Sequence, residues 1–253
     1  MIVKAAGPSY PGLAANEFLC LSAAMRAGIA TPEFALSNDG QLLVLDRFDF
    51  VEREDGSIER LGFEDIAALA GLRVRDTLSD RKYQGSYQAI AELLKQLQLP
   101  CENLQRFFEQ VAFSVMVRNG DAHLKNFGLL YRSAADAWLA PMYDVVTTSI
   151  YRYTRYEGGP ELEDKTMALK LLRGRRQTRA YPTSDELMAF GRSICSVAKP
   201  ETAMQNIAQA MTETLQQAKR DERIPSALRS AMSTAWEAGM AYANLDRMRC
   251  GVG

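Results

Sequence analysis

The 253-residue sequence predicts an α+β fold of two unequal lobes, a small mixed one over residues 1–48 and a large, mostly helical one over residues 49–253. Three observations predict it. Residues 1–45 alternate short apolar runs with one helix-forming stretch and an Asp-Gly turn. From about residue 60 the apolar residues recur at helical spacing. Two short apolar runs, 127–131 and 137–140, interrupt that pattern across a small polar turn, as a β-hairpin requires.

Each element follows from local chemistry. Met1-Ile2-Val3-Lys4 reads as a strand, and Gly7 to Gly12 as a loop, because glycine and proline dominate it. Ala14 to Ala27 forms a helix that Gly28 stops. Phe34–Leu36 and Leu42–Leu45 flank Asn38-Asp39-Gly40, a hairpin signal. Tyr87, Ile90, Leu94 and Leu97 mark one helix, and Leu104, Phe107, Phe108, Val111 and Val115 a second. Gly120 is placed as the left-handed cap of that second helix. Residues 151–182 are charged and glycine-containing and read as an extended surface segment with one apolar piece, Met167–Leu172. Asp185 and Glu186 suit the first turn of a helix, and Pro200 and Pro225 open two more.

Composition narrows the function classes. The chain is 47% hydrophobic and 24% charged, with a net charge of -1, so nothing global points to a nucleic-acid or membrane binder. No run of about 18 apolar residues predicts a membrane span, and the N-terminus lacks the apolar core of a signal peptide. The four cysteines form no CxxC pair and read as free thiols of a cytoplasmic protein.

The chemistry-bearing string is Asn119-Gly120-Asp121-Ala122-His123-Leu124-Lys125-Asn126, with Pro141-Met142-Tyr143-Asp144 beyond the hairpin. An aspartate, an asparagine five positions on and a second aspartate after a hairpin is the set that phosphoryl transfer needs. Asp121 is the candidate to orient an attacking hydroxyl and take its proton. Asn126 and Asp144 are the candidate ligands of Mg²⁺, which prefers a few hard oxygen donors. These residues predict an ATP-dependent kinase. Within the loop, Lys125 is a candidate to neutralise the transferring phosphoryl group, with a solvated surface lysine as the bland alternative. His123 is read as bracing the loop backbone rather than reacting.

Weaker candidates lie in the small lobe. Lys4 ends a short β-branched run, as a strand lysine reaching nucleotide phosphates does, and Glu17 on the next helix is a candidate partner for it. Asp46-Arg47-Phe48 sits where the hinge of a two-lobed kinase would hold adenine, and an ordinary strand-end turn accounts for it equally well. Arg173, Arg175, Arg176 and Arg179 form a basic run, read as a solvated face before an anion-binding one.

These motifs resemble the C-terminal region of HipA-like serine/threonine kinases, the toxins of bacterial toxin–antitoxin modules. Tyr10-Pro11-Gly12, Asn16-Glu17, Arg47-Phe48-Asp49, the Asn119–Phe127 string, Ala140–Val145 and Met167-Ala168-Leu169-Lys170 carry the resemblance over residues 1–195. It implies a two-lobed protein-kinase-like fold, ATP and Mg²⁺ as cofactors, Asp121 as the catalytic aspartate, Asn126 and Asp144 as metal ligands, and Lys4 on the phosphates. It also implies a protein substrate, in known cases an aminoacyl-tRNA synthetase, and a helix-turn-helix antitoxin repressor as partner. Nucleic acid is expected only through that complex.

The family carries a further region before the lysine-bearing strand, including a loop over the phosphates. Here three residues precede Lys4, so residues 1–48 read as the remnant of a nucleotide-binding lobe. A small partner chain completing that lobe is one expectation. A non-catalytic module that binds nucleotide or antitoxin is the alternative, and a small-molecule phosphotransferase a third reading.

Overall fold

The computed structural model describes residues 1–5, 7, 10–72, 80–153, 158–163 and 165–243. Strand β1 (Ile2–Ala5), helix α1 (Leu13–Arg26), β2 (Phe34–Leu36) and β3 (Leu42–Leu45) build the N-terminal part. The strands form an antiparallel sheet of order β1-β3-β2, with Lys4 opposite Leu43 and Ala35 opposite Val44. The expected Asp-Gly hairpin is there. Asp39 accepts hydrogen bonds from the Ser37 hydroxyl and the Gln41 N–H, and Gly40 takes φ 72° against the Arg223 carbonyl, where a side chain would collide. Of the loop before α1, Ala6, Pro8 and Ser9 lie outside the described residues.

Residues 50–65 correct the expectation that the chain turns helical near residue 60. They form a hairpin, β4 (Phe50–Glu52) with β5 (Ile58–Arg60), and then β6 (Gly62–Asp65). A single-turn helix, α2 (Ile66–Leu69), follows on an Asp65 cap. The strand β6 is made by its partner far along the chain. It pairs with β7 (Gly128–Ser133), which pairs with β8 (Asp136–Leu139). Gly62 faces Tyr131 and Gly128 lies under Phe63, so each glycine leaves room for an aromatic ring of the opposing strand.

The helical part follows the predicted periodicity. Helix α3 (Tyr87–Gln96) is capped by the Ser86 side chain, and α4 (Glu102–Met116) buries Phe107, Phe108, Val111 and Phe113 completely. Leu97 is the exposed C-cap of α3 rather than part of its buried stripe. At the end of α4 the left-handed residue is Arg118 (φ 60°), not Gly120. The Asn119 N–H returns to the Ser114 carbonyl, and the Arg118 guanidinium stacks over Tyr181 at 4.5 Å, contacts that hold the strained backbone.

The segment after β8 contains a two-residue ladder, β9 (Arg152–Tyr153) with β10 (Leu162–Glu163). Residues 154–157 and 164 lie outside the described residues. The apolar piece is core rather than surface: Met167, Ala168, Leu169 and Leu171 are buried. The carbonyls of Lys170 and Leu171 accept the Tyr87 and Gln88 N–H groups, two of the orphan donors of the first turn of α3. Helix α5 (Ser184–Ala189) starts on a reciprocal Thr183–Glu186 capping box, and α6 (Pro200–Ala218) and α7 (Ser226–Met240) follow their prolines.

A main core joins the helices to the two three-stranded sheets, with Leu21, Leu43, Phe113, Met204 and Trp236 among its members, and a smaller cluster of Leu61, Leu130 and Ala140 packs with Phe48, Phe63 and Tyr143. Cys20, Cys101 and Cys195 are free thiols, and Cys250 lies outside the described residues. Among the described residues no helix is long and apolar enough to cross a membrane.

Helix α7 crosses the end of α4 at Gly239, where an added Cβ would collide with the Met116 carbonyl. That contact is backbone, so it cannot rotate away. Gly239→Ala is expected to cost about 3 kcal/mol of stability by overpacking. Urea unfolding followed by circular dichroism checks this, and an unchanged midpoint would show that the helices separate freely.

Candidate active site

The buried stripe of α4 fixes the chain that leaves it, and the loop 119–126 is then pinned from several sides. The Asn119 side chain accepts the Asp121 N–H at 3.0 Å. The Gly120 N–H donates to Thr148 Oγ1 at 2.7 Å, and the buried Tyr87 hydroxyl donates to the Ala122 carbonyl at 2.9 Å. His123 N–H donates to Asn126 Oδ1 at 3.0 Å, and Asn126 N–H returns to the His123 carbonyl at 2.9 Å. Such a loop presents its side chains without reorganising.

Asp121 is half-exposed and accepts a 2.6 Å hydrogen bond from the Tyr83 hydroxyl. His123 is buried, edge-on to the Tyr83 ring at 5.2 Å, with Nε2 4.0 Å from Asp121 Oδ1. Burial lowers the His123 pKa below its ordinary value, against the opposing pull of Asp121. A neutral ring suits bracing of the loop.

The β7–β8 hairpin returns the chain to the same place. The Tyr143 hydroxyl donates to the Lys125 carbonyl at 2.7 Å, tying the return strand to the loop. Asp144 follows in the left-handed region (φ 51°), a conformation that aspartate tolerates better than most residues and that turns its carboxylate out of the strand direction.

Lys4 closes the group from β1. Its ammonium pairs with Glu17 Oε1 at 2.7 Å and also with the Asp144 carboxylate. Burial pulls Lys4 down, but the charges of Glu17 and Asp144 outweigh it and leave its pKa above the ordinary value. Glu17 is buried. That burial pushes its pKa up further than the Lys4 charge pulls it down, and Asp144 adds to the rise. Two carboxylates thus share one ammonium.

Lys4, Glu17, Asp121, His123, Lys125, Asn126 and Asp144 all line one cavity of about 730 Å³. The remaining three candidates do not. Asp46 N–H bonds the Glu33 carbonyl, Arg47 clamps Asp49 at 2.9 Å, and Phe48 packs on Phe63 and Tyr143, each at 5.4 Å. Phe48 therefore meets the site only through Tyr143. A larger concavity, about 1290 Å³ between α1 and the end of α6, contains none of the candidates.

Sequence reasoning missed three supports. Tyr83 left no signal, since nothing local ties it to Asp121. Asn16 left one, a polar residue on the buried face of α1. Its side chain accepts the Thr147 N–H at 2.9 Å and donates to the Thr147 carbonyl at 3.1 Å. Thr147 in turn receives the Trp236 indole N–H at 2.8 Å, so α1, α7 and the chain beyond Asp144 are locked together.

The donor set suits a magnesium ion carried by a nucleotide. Asn126 and Asp144 both line the cavity and carry hard oxygens, and Mg²⁺ keeps phosphate and water ligands beside a few from the protein. Among the described residues no group of three or more His, Cys, Asp or Glu makes an all-protein metal cage.

A model of the HipA-like C-terminal domain matches residues 1–219. The chain belongs to the HipA-like C-terminal domain family. Two Sinorhizobium fredii proteins named as candidate kinases are similar to this HipA-like chain. Y4dM is 30% identical over 165 residues, 59% of this chain and 38% of its own length. Y4mE is 28% identical over 198 residues, 76% of this chain and 43% of its own length. The chain thus spans less than half of these relatives.

Two solved structures share the fold of this HipA-like chain. HipA of Shewanella oneidensis MR-1, solved with HipB and operator DNA, superposes with a TM-score of 0.67 at 18% identity, over 96% of this chain and 57% of that one. The Helicobacter pylori proinflammatory kinase CtkA gives 0.65 at 13% identity, over 99% and 91%. The two-lobed, kinase-like α+β architecture expected from the sequence is the one observed.

Proposed function

We propose that this chain is the catalytic portion of an ATP- and Mg²⁺-dependent protein serine/threonine kinase of the HipA toxin type. One observation carries the reading: Asp121, Asn126, Asp144 and the Lys4–Glu17 pair line one cavity. A strand lysine paired with a helix glutamate is how protein kinases hold the nucleotide phosphates, and the other three are the catalytic and metal-holding set.

In this reading Lys4 leaves Asp144 for the phosphates and stays oriented by Glu17. Asn126 and Asp144 would hold Mg²⁺, which would supply neutralisation of phosphate charge. Asp121 aligns the acceptor hydroxyl and receives its proton. Lys125 offsets charge at the transferring group, and His123 keeps the loop in place as a neutral brace. Phe48 supports the site through Tyr143, and Asp46–Phe48 contact adenine only if the nucleotide extends beyond the cavity.

The protein substrate, growth arrest through an aminoacyl-tRNA synthetase, a helix-turn-helix antitoxin and a cytoplasmic location belong to the same proposal. The neighbour HipA was solved with HipB, which supports the antitoxin. A further polypeptide completing the small lobe is supported by β1, an edge strand on which Ile2 and Val3 are exposed.

The deciding experiment titrates Mg²⁺-ATP while following both binding and transfer of the γ-phosphate to bacterial lysate proteins. Transfer to serine or threonine is expected. Binding without transfer would leave the non-catalytic module, and transfer to small molecules alone would make the chain a different phosphotransferase.

A further inference from the structure

A cationic strap lies beside the site and has no part in the chemistry above. Residues 166–184 contain Lys170, Arg173, Arg175, Arg176 and Arg179 and no acidic residue. The strap is anchored on the turn that carries Tyr83. Arg179 Nη2 donates to the Tyr83 carbonyl at 2.8 Å, and Lys170 bridges to Ser86.

Tyr83 in turn donates its hydroxyl to Asp121 Oδ1 at 2.6 Å. In the proposed reaction that is the place of the acceptor hydroxyl, so Tyr83 marks where an acceptor enters. Cations surround the mark. Lys82 Nζ lies 5.0 Å and the Arg179 guanidinium 5.9 Å from the Tyr83 ring, and Lys82 and Lys125 line the cavity. Asp80 opposes them from the same turn. On the strap, Glu92 neutralises Arg173 at 2.9 Å, while Arg175 and Arg176 are exposed and have no acidic partner among the described residues.

From this arrangement we infer that the acceptor hydroxyl sits in an acidic protein segment, whose carboxylates dock on Arg175 and Arg176 along the Gly174–Arg179 strap. The role of the docked hydroxyl rests on the kinase reading. Surfaces for single-stranded nucleic acid interleave open aromatic faces with their cations. Here Tyr83 is flanked by Lys82 and Arg179, and Tyr181 is covered by Arg118. The exposed Tyr10 ring lies in the cavity, whereas the strap offers no open aromatic face among the described residues, and charge without stacking platforms there favours a peptide.

The test uses the full chain and three fluorescein-labelled probes: a serine peptide flanked by glutamates, the same peptide flanked by lysines, and a single-stranded RNA of equal charge to the first. Binding is read by anisotropy at low and physiological salt, and γ-phosphate transfer to the two peptides is measured in parallel. The acidic peptide is expected to bind about tenfold tighter than the basic one, less so at higher salt. Arg175→Glu with Arg176→Glu is expected to reverse that order, with thermal unfolding unchanged as the control for folding.

Equal binding of the two peptides, an unreversed order in the double variant, or tighter binding of the RNA would overturn the inference. Transfer to both peptides without regard to charge would overturn it while the kinase reading stands. A reversed order of binding with no transfer to any acceptor would sink the kinase reading and leave the docking surface.

Discussion

Replacing Asp144 by asparagine is expected to abolish the gain in ATP affinity that Mg²⁺ brings. In wild type the ion should tighten ATP by at least about tenfold, and in the variant by less than about twofold, because Asp144 is the one anionic ligand beside the neutral Asn126 amide. Metal-free ATP should bind no worse than in wild type. Lys4 remains held by Glu17 at 2.7 Å, and removing the Asp144 charge frees its ammonium and removes repulsion from the phosphates. Asparagine is the informative replacement, since it also tolerates the left-handed backbone at φ 51°. Asp144→Ala should behave alike toward Mg²⁺ and in addition lose roughly 1 kcal/mol of stability from that backbone. Isothermal titration with and without Mg²⁺ separates the outcomes. A full Mg²⁺ effect in both variants would remove Asp144 from the metal site.

Asp121→Asn is expected to act on the rate alone. In the proposed reaction the carboxylate serves the acceptor, and it accepts a hydrogen bond from the Tyr83 hydroxyl, so its loss leaves the Lys4, Glu17 and Asp144 group intact. Transfer should fall by roughly 10²–10⁴, the usual worth of a positioned general base. Mg²⁺-ATP binding should stay within about twofold, a limit set here by the Asp121 charge being screened in a half-exposed position. Single-turnover phosphorylation together with nucleotide titration checks this. Equal losses of binding and rate would place Asp121 among the metal ligands instead.

The two variants together separate the two proposed roles, the hold on the nucleotide and the alignment of the acceptor. They also bear on the strap, because a docked acidic segment is only productive if Asp121 receives its hydroxyl. Retained docking in Asp121→Asn is therefore the expected companion of lost transfer.

Much of this was legible along the chain. The hairpin over Asn38-Asp39-Gly40, the α4 stripe ahead of Asn119, the Asp185 and Glu186 first turn of α5 and the proline starts of α6 and α7 are all written within a few residues of where they act. Local hydrogen bonds and side-chain periodicity set them, so a window of sequence contains their cause. Strand β6 was misread because its cause is β7, more than sixty residues on, where Gly128 makes room for Phe63. The left-handed end of α4 was misplaced onto Gly120 because the ring of Tyr181 that meets Arg118 is equally remote.

The sequence by itself determined the fold class, most helices and the three oxygen-bearing candidates Asp121, Asn126 and Asp144, since each depends on short spacings along the chain, and its motifs carried the family resemblance. Only the tertiary structure decided that Lys4 and Glu17 meet Asp144, that Tyr83 rests on Asp121, and that Asp46–Phe48 stand back from the cavity. Those outcomes depend on how one shared core packs α1, α4 and the two small sheets together, and long-range packing leaves no periodic mark in the residues it brings into contact.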